Sequence, residues 1–194
     1  ICYSKKMDSV IIIGMKHSGK SSLGKGLANN LSLPFFDTDE IIENQTGIKV
    51  RELFVKQGES SFKKAEFEAC KYLLEKKQNY ENFVISTGGG ICDNIESVEI
   101  LKKFGKFILL EVPENICLER ILRNSKKTGS LPGYISRENP KSLEDIQQIF
   151  HQFYERRMKS YKEITDFSFS PHPEASKQEN VANFVKFVKN IFML

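Results

Sequence analysis

Short apolar runs recur along the chain at 10–13, 34–36, 83–86, 107–111 and 167–170, and the stretches between them change period. There, apolar residues return every three or four positions, as Leu23, Leu27 and Leu31 do after the first run. The pattern predicts helices over 20–31, 39–44, 51–56, 60–77, 94–104, 113–123, 142–161 and 177–191. Strands that are apolar at nearly every position, alternating with such helices, belong to a parallel sheet covered on both faces. Ligands of such sheets sit beyond the carboxyl ends of the strands. Chemistry is therefore expected in the residues that follow the runs: the turn after Ile13, "DTD" at 37–39, "STGGG" at 86–90 and "EVPE" at 111–114. The segment 123–142 is polar, carries Gly and Pro, and shows no period. It is too long for an ordinary connection and is expected to be a mobile lid, about 123–141.

The turn after the first run has Gly14, Gly19, Lys20 and Ser21 at the spacing G-x-x-x-x-G-K-[ST]. An apolar strand precedes it and a helical period follows, which is the context a phosphate-binding P-loop requires. Backbone N–H groups turned inward and a helix N-terminus facing the anion make such a loop a phosphate cradle. Gly14, Lys16, Ser18, Gly19, Lys20, Ser21 and Ser22 are the expected nucleotide contacts, with Lys20 on the β- and γ-phosphates and the Ser21 hydroxyl on Mg²⁺.

Composition narrows the class. A chain of 194 residues with 40% hydrophobic content supports one domain, expected over 7–194. Met7 reads as the native start, with residues 1–6 left from an expression vector or from a longer polypeptide. The net charge of +4 is spread along the chain, so nucleic acid is not expected as a partner. The four cysteines lack metal or disulfide spacing, which suits a reducing cytoplasm. No run approaches a membrane span, and "ICYSKKM" lacks a signal-peptide core. A monomer acting on a small molecule is the expectation. Arginine is scarce: only six of the 29 basic residues are arginine.

In order, "GMKHSGKSSLGKGLA", "LPFFDTDEIIE", "TG" at 46–47, "GESSFKKAE", "ISTGGG" and "YERRMKSYKEITD" resemble the shikimate kinase family over about 9–166. The resemblance implies a three-layer α/β/α sandwich with a five-stranded parallel sheet, of the nucleoside-monophosphate-kinase type. It also implies ATP and Mg²⁺, and transfer of the γ-phosphoryl group to the 3-hydroxyl of shikimate, giving shikimate 3-phosphate for aromatic amino-acid synthesis. By that resemblance Asp37 lies on the Mg²⁺ side, while Asp39 holds the shikimate hydroxyls and accepts the proton. From the residues alone, Asp39 is equally a helix N-cap. Gly88, Gly89 and Gly90 form a substrate wall, and Arg157 and Lys63 face the carboxylate with Glu66 steadying them. The alternative for Glu66 is an exposed ion pair with Lys63 three positions away. Arg123 or Arg120 is expected against adenine.

Two positions depart from the family pattern. Lys63 stands where the family has an arginine, and Leu131 precedes Pro132 where the family lid has another. Arg137, Arg123, Lys126 and Lys127 are the replacement candidates for the second, and His172 reads as a turn residue. The competing readings are a P-loop kinase for a different hydroxylated acceptor and an ATP-binding relative without catalysis.

Overall fold

The computed structural model describes residues 8–193, so the stretch 1–6, Met7 and Cys2 lie outside the described residues. Five strands, β1 (Ser9–Ile13), β2 (Phe35–Asp37), β3 (Val84–Ser86), β4 (Gly105–Leu110) and β5 (Phe167–Phe169), pair in parallel in the order β2-β3-β1-β4-β5. The helices are α1 (Lys20–Leu31), α2 (Thr38–Thr46), α3 (Val50–Lys76), α4 (Ile95–Leu101), α5 (Glu114–Thr128), α6 (Gly133–Ser136), α7 (Leu143–Ile164) and α8 (Lys177–Phe192).

The unbroken apolar run of β1 has its explanation in the layers. Val10 and Ile12 pack with Leu23 and Leu27 of α1 and with Phe184 and Val188 of α8. Ile11 and Ile13 face the opposite way, toward Leu53 and Leu73 of α3, Ile121 of α5, and Phe150 and Tyr161 of α7. Both faces are buried, so Val10 to Ile13 are all apolar, and the one polar residue of the strand, Ser9, accepts at its hydroxyl from the Phe83 N–H at 3.2 Å. Each such Ile, Val or Leu contributes about 1.5–3 kcal/mol by leaving water.

Two expected boundaries move. The helices predicted over 51–56 and 60–77 are the two arms of α3, which lengthen toward one another and meet at Gly58, whose φ of 85° and ψ of 173° are not helical. That backbone region is nearly closed to residues with a Cβ. A Cβ added there meets no atom within 4 Å, so Gly58→Ala tests backbone strain alone. It is expected to cost about 1–3 kcal/mol, lowering Tm by about 2–4 °C per kcal/mol in thermal melting. An unchanged Tm would show that the bend relaxes without cost.

The second change lies in 123–142, which is not a bare loop. α5 continues to Thr128, and α6 anchors the segment by burying Tyr134 and Ile135 in the core. α7 then begins behind Ser142, whose hydroxyl accepts from Asp145 N in a reciprocal capping box.

Candidate active site

The carboxyl ends of β1, β2 and β3 converge. Between β1 and α1 the glycine-rich loop wraps Lys20, whose Nζ donates to the carbonyls of Gly14 and Met15, both at 2.9 Å. The ammonium is buried, and loss of water lowers its pKa to about 8. The hydroxyls of Ser18 and Ser22 are buried with no hydrogen-bond partner among the described residues. Unpaired donors of this kind on a P-loop suit phosphate oxygens. Ser21 Oγ donates to Asp37 Oδ2 at 2.6 Å. A hydroxyl and a carboxylate in contact are the hard oxygen donors that Mg²⁺ takes. Lys20, Ser21, Ser22 and Asp37, with Lys16, Asp39 and Gly89, line a cavity of about 380 Å³.

Asp37 has a second task, and it corrects the N-cap expectation for Asp39. The cap of α2 is Asp37, whose Oδ1 accepts from the backbone N–H of Asp39 at 3.0 Å. The Asp39 side chain is thereby left for other work. Its Oδ1 is buried without a partner among the described residues. Burial, followed by the charge of Asp37, raises its pKa, while Lys16 and Lys20 act in the opposite direction.

"STGGG" lies against this carboxylate. A Cβ on Gly88 would come within 2.8 Å of Asp39 Oδ1 and 3.2 Å of Glu66 Oε1, so only glycine lets the loop approach so closely. Gly88 N–H donates to Thr38 Oγ1 at 2.9 Å. The hydroxyl of fully buried Tyr161 lies 3.0 Å from the Gly14 carbonyl and 2.9 Å from that of Gly89, sharing its proton between the two loops. Gly90 stands beside the Arg157 guanidinium. Arg157, on α7, is buried and pairs through Nε and Nη2 with Asp93, each at 3.0 Å.

The alternative for Glu66, an exposed pair with Lys63, does not form. Glu66 turns inward, is 1% exposed, and accepts from Asn94 Nδ2 at 2.9 Å, while Lys63 turns to Glu59 at 3.0 Å. Burial pushes the Glu66 carboxyl from 4.5 up to about 8. The folded chain thus holds this proton more tightly than the unfolded one, so the stabilisation is complete below pH 4.5 and is lost as pH rises to about 8. At about 1.4 kcal/mol per pH unit the total is a few kcal/mol. Glu66→Gln keeps an acceptor for Asn94 and cannot ionise, so it is expected to flatten the fall in Tm across that window. Parallel melting curves of the two proteins from pH 5 to 8 would remove Glu66 as the cause.

The remaining arginines separate. Arg120 Nη1 donates to the His17 carbonyl at 3.1 Å, and Arg123 is exposed in the same cleft with Lys127. Burial, with the charges of Lys16, Lys20 and Arg120, lowers the His17 pKa to about 4, so the imidazole is neutral. Lys126 ends α5 in its last turn. Arg137 leaves the nucleotide side altogether and pairs with Glu59 at 2.7 Å. Leu131 packs against the core, and its carbonyl accepts from Arg51 Nε at 3.0 Å. His172 is exposed in its turn, as expected.

Arg51, Asp93, Asn94 and Tyr161 escaped the sequence reading. An Asn just ahead of a helical period was a usable cap signal, and Asn94 does cap α4. Arg51 was visible only as one of few arginines. Nothing local marked Asp93 or the Tyr161 hydroxyl.

A glycine-rich loop with a buried lysine, a Ser–Asp oxygen pair and a second carboxylate, at the carboxyl edge of a parallel sheet of this order, define a P-loop phosphotransferase. A family model for shikimate kinase matches residues 16–189. The shikimate kinase of Aquifex aeolicus is 34% identical over 169 residues, covering 87% of this chain and 92% of its own length. That of Pelotomaculum thermopropionicum is 39% identical over 138 residues, covering 71% and 77%. Among solved structures, the Aquifex aeolicus enzyme superposes with a TM-score of 0.69 at 32% identity, covering 94% of this chain and 98% of its own. The Acinetobacter baumannii enzyme, solved in complex with shikimate, has the same fold at a TM-score of 0.76 and 23% identity, covering 97% and 95%. The chain belongs to the shikimate kinase family, phosphotransferases that use ATP and an alcohol acceptor. Among the described residues no helix is long and apolar enough to cross a membrane.

Proposed function

We propose that this site transfers the γ-phosphoryl group of ATP to the 3-hydroxyl of shikimate, with Asp39 as proton acceptor and Lys20 as the principal cation on the phosphates. One observation carries the reading. Asp39 lines both the P-loop cavity and the cavity bounded by Gly88, Gly89, Gly90 and Arg157. A carboxylate at that junction has phosphate on one side and room for a hydroxylated acceptor on the other, which in-line transfer requires.

Gly14, Lys16, Ser18, Gly19 and Ser22 hold phosphate oxygens in this reading, and Arg123 borders the adenine. Ser21 and Asp37 hold Mg²⁺, which supplies charge neutralisation on the phosphates when bound. Asp39 takes the hydroxyl proton, aided by a carboxyl pKa that burial has raised. Gly88, Gly89 and Gly90 wall the acceptor, and Arg157 faces its carboxylate with Lys63 behind. Glu66, held by Asn94, positions this wall. The segment 123–141 acts as a lid that excludes water, within a single domain over 7–194. The buried free thiols of Cys70 and Cys117 suit a reducing cytoplasm.

Coupled ADP release with ATP and Mg²⁺, measured with and without shikimate, tests the acceptor. Shikimate-dependent release is expected. Release that ignores shikimate, or its absence, transfers the site to another acceptor or to nucleotide binding alone.

A further inference from the structure

Three guanidinium groups gather around one aromatic ring. The Cζ atoms of Arg156, Arg157 and Arg137 lie 5.1, 5.4 and 5.8 Å from the centroid of Phe153. Arg137 comes from a different part of the chain than the other two, just after α6, and also lies 5.6 Å from the Phe54 ring. These arginines and Lys63 border one cavity of about 390 Å³ that also reaches Gly90 of the substrate wall.

The outward carboxylates of this cavity are all committed. Asp93 Oδ2 serves both Arg156 and Arg157, at 3.2 and 3.0 Å. Glu66 is turned inward to Asn94. Glu59 serves the remaining two cations, Lys63 at 3.0 Å and Arg137 at 2.7 Å. At the cavity's edge Glu138 also accepts from Arg137 Nε at 3.2 Å, so four cations share three outward carboxylates, and the cavity has room for one more anion. An exposed ion pair between residues 78 positions apart, on a side chain set between two aromatic rings, is more than the incidental surface pairing common on proteins.

We propose that Arg137 is a carboxylate-binding residue for the acceptor, and that Glu59 is an internal anion holding Arg137 and Lys63 in place until the acceptor's carboxylate displaces it. The assignment rests on the acceptor reading above. It gives the segment 123–141 a role on the acceptor side of the site, because Arg137 sits immediately after α6, which Tyr134 and Ile135 anchor in the core. A planar guanidinium fork matches a carboxylate where the Lys63 ammonium offers only a point charge.

Isothermal titration of shikimate and steady-state rates on the unchanged chain, Arg137→Ala, Arg137→Lys and Glu59→Gln form the test. Arg137→Ala is expected to raise both Kd and KM for shikimate by about tenfold, the loss of one charge-assisted hydrogen bond, with KM for ATP unchanged. Arg137→Lys should recover part of the loss. Glu59→Gln, which leaves every cation in place and stays informative if Arg137→Ala misfolds, should tighten shikimate binding severalfold. The methyl ester of shikimate, lacking the charge, should bind the unchanged chain and Arg137→Ala alike. An unchanged KM for shikimate in Arg137→Ala, or a fall in kcat with a raised KM for ATP, overturns the role of Arg137. Weaker or unchanged binding in Glu59→Gln overturns the role of Glu59. If the unchanged chain neither binds nor turns over shikimate, the acceptor reading fails and this proposal falls with it.

Discussion

Lys20→Ala is expected to slow phosphoryl transfer by about a hundredfold or more while the protein remains folded. The magnitude is that of one preorganised electrostatic group removed from a site sheltered from water, about 2.7–4 kcal/mol of barrier. Lys20 suits that part because its ammonium is held rather than mobile. It is buried, its stem is enclosed at the start of α1, and it donates to the Gly14 and Met15 carbonyls at 2.9 Å. Those are weak partners for a full charge, as the fall of its pKa to about 8 through burial shows. Phosphate oxygens are far better ones. The two freed carbonyls do not condemn the fold, since that of Gly14 keeps the Tyr161 hydroxyl and removal of a buried charge offsets the loss. Single-turnover rates alongside thermal melting separate the two effects. A variant that melts normally and keeps its rate would take Lys20 out of the reaction.

Asp39→Asn is expected to reduce kcat by about 10²–10⁴-fold, the range for removal of a positioned proton acceptor, with ATP binding preserved. The substitution keeps the shape of the side chain and lies outside the α2 cap, which belongs to Asp37. Local folding is therefore undisturbed. Burial and the neighbouring Asp37 charge disfavour the carboxylate, which makes it a stronger base than a free aspartate. Loss of that charge also relieves its repulsion with Asp37, so the variant should melt at the same temperature or higher. ATP titration, kcat and Tm on one preparation form the check. Full turnover in Asp39→Asn would assign the proton to another acceptor.

Some of this was written in the order of the residues. The unbroken apolar run ahead of Gly14, the G-x-x-x-x-G-K-S spacing and the period behind it are all local, and α1 occupies the predicted 20–31. Ser142 and Ser176 cap the helices that were expected to begin beside them. Gly58 separates two helical arms at the predicted break. Each of these features depends on dihedral preferences and hydrogen bonds spanning fewer than about ten residues, so composition and spacing carry them.

Long-range pairings were decided otherwise. The Tyr161 hydroxyl bridges loops 147 and 72 residues away, and Arg137 reaches Glu59 across 78. Glu66 was read as either exposed or functional, and its burial followed only from the placement of α3 against Asn94. α6 sat inside an apparently periodless segment because a four-residue helix is too short to show a period, and Tyr134 and Ile135 are helical there by virtue of the core they enter. The sequence by itself determined which polar and glycine-rich stretches stand at the carboxyl ends of the strands. Which charges face one another, which lose their water and which proton is held more tightly were settled by tertiary packing, because desolvation and Coulomb energy depend on distance through space.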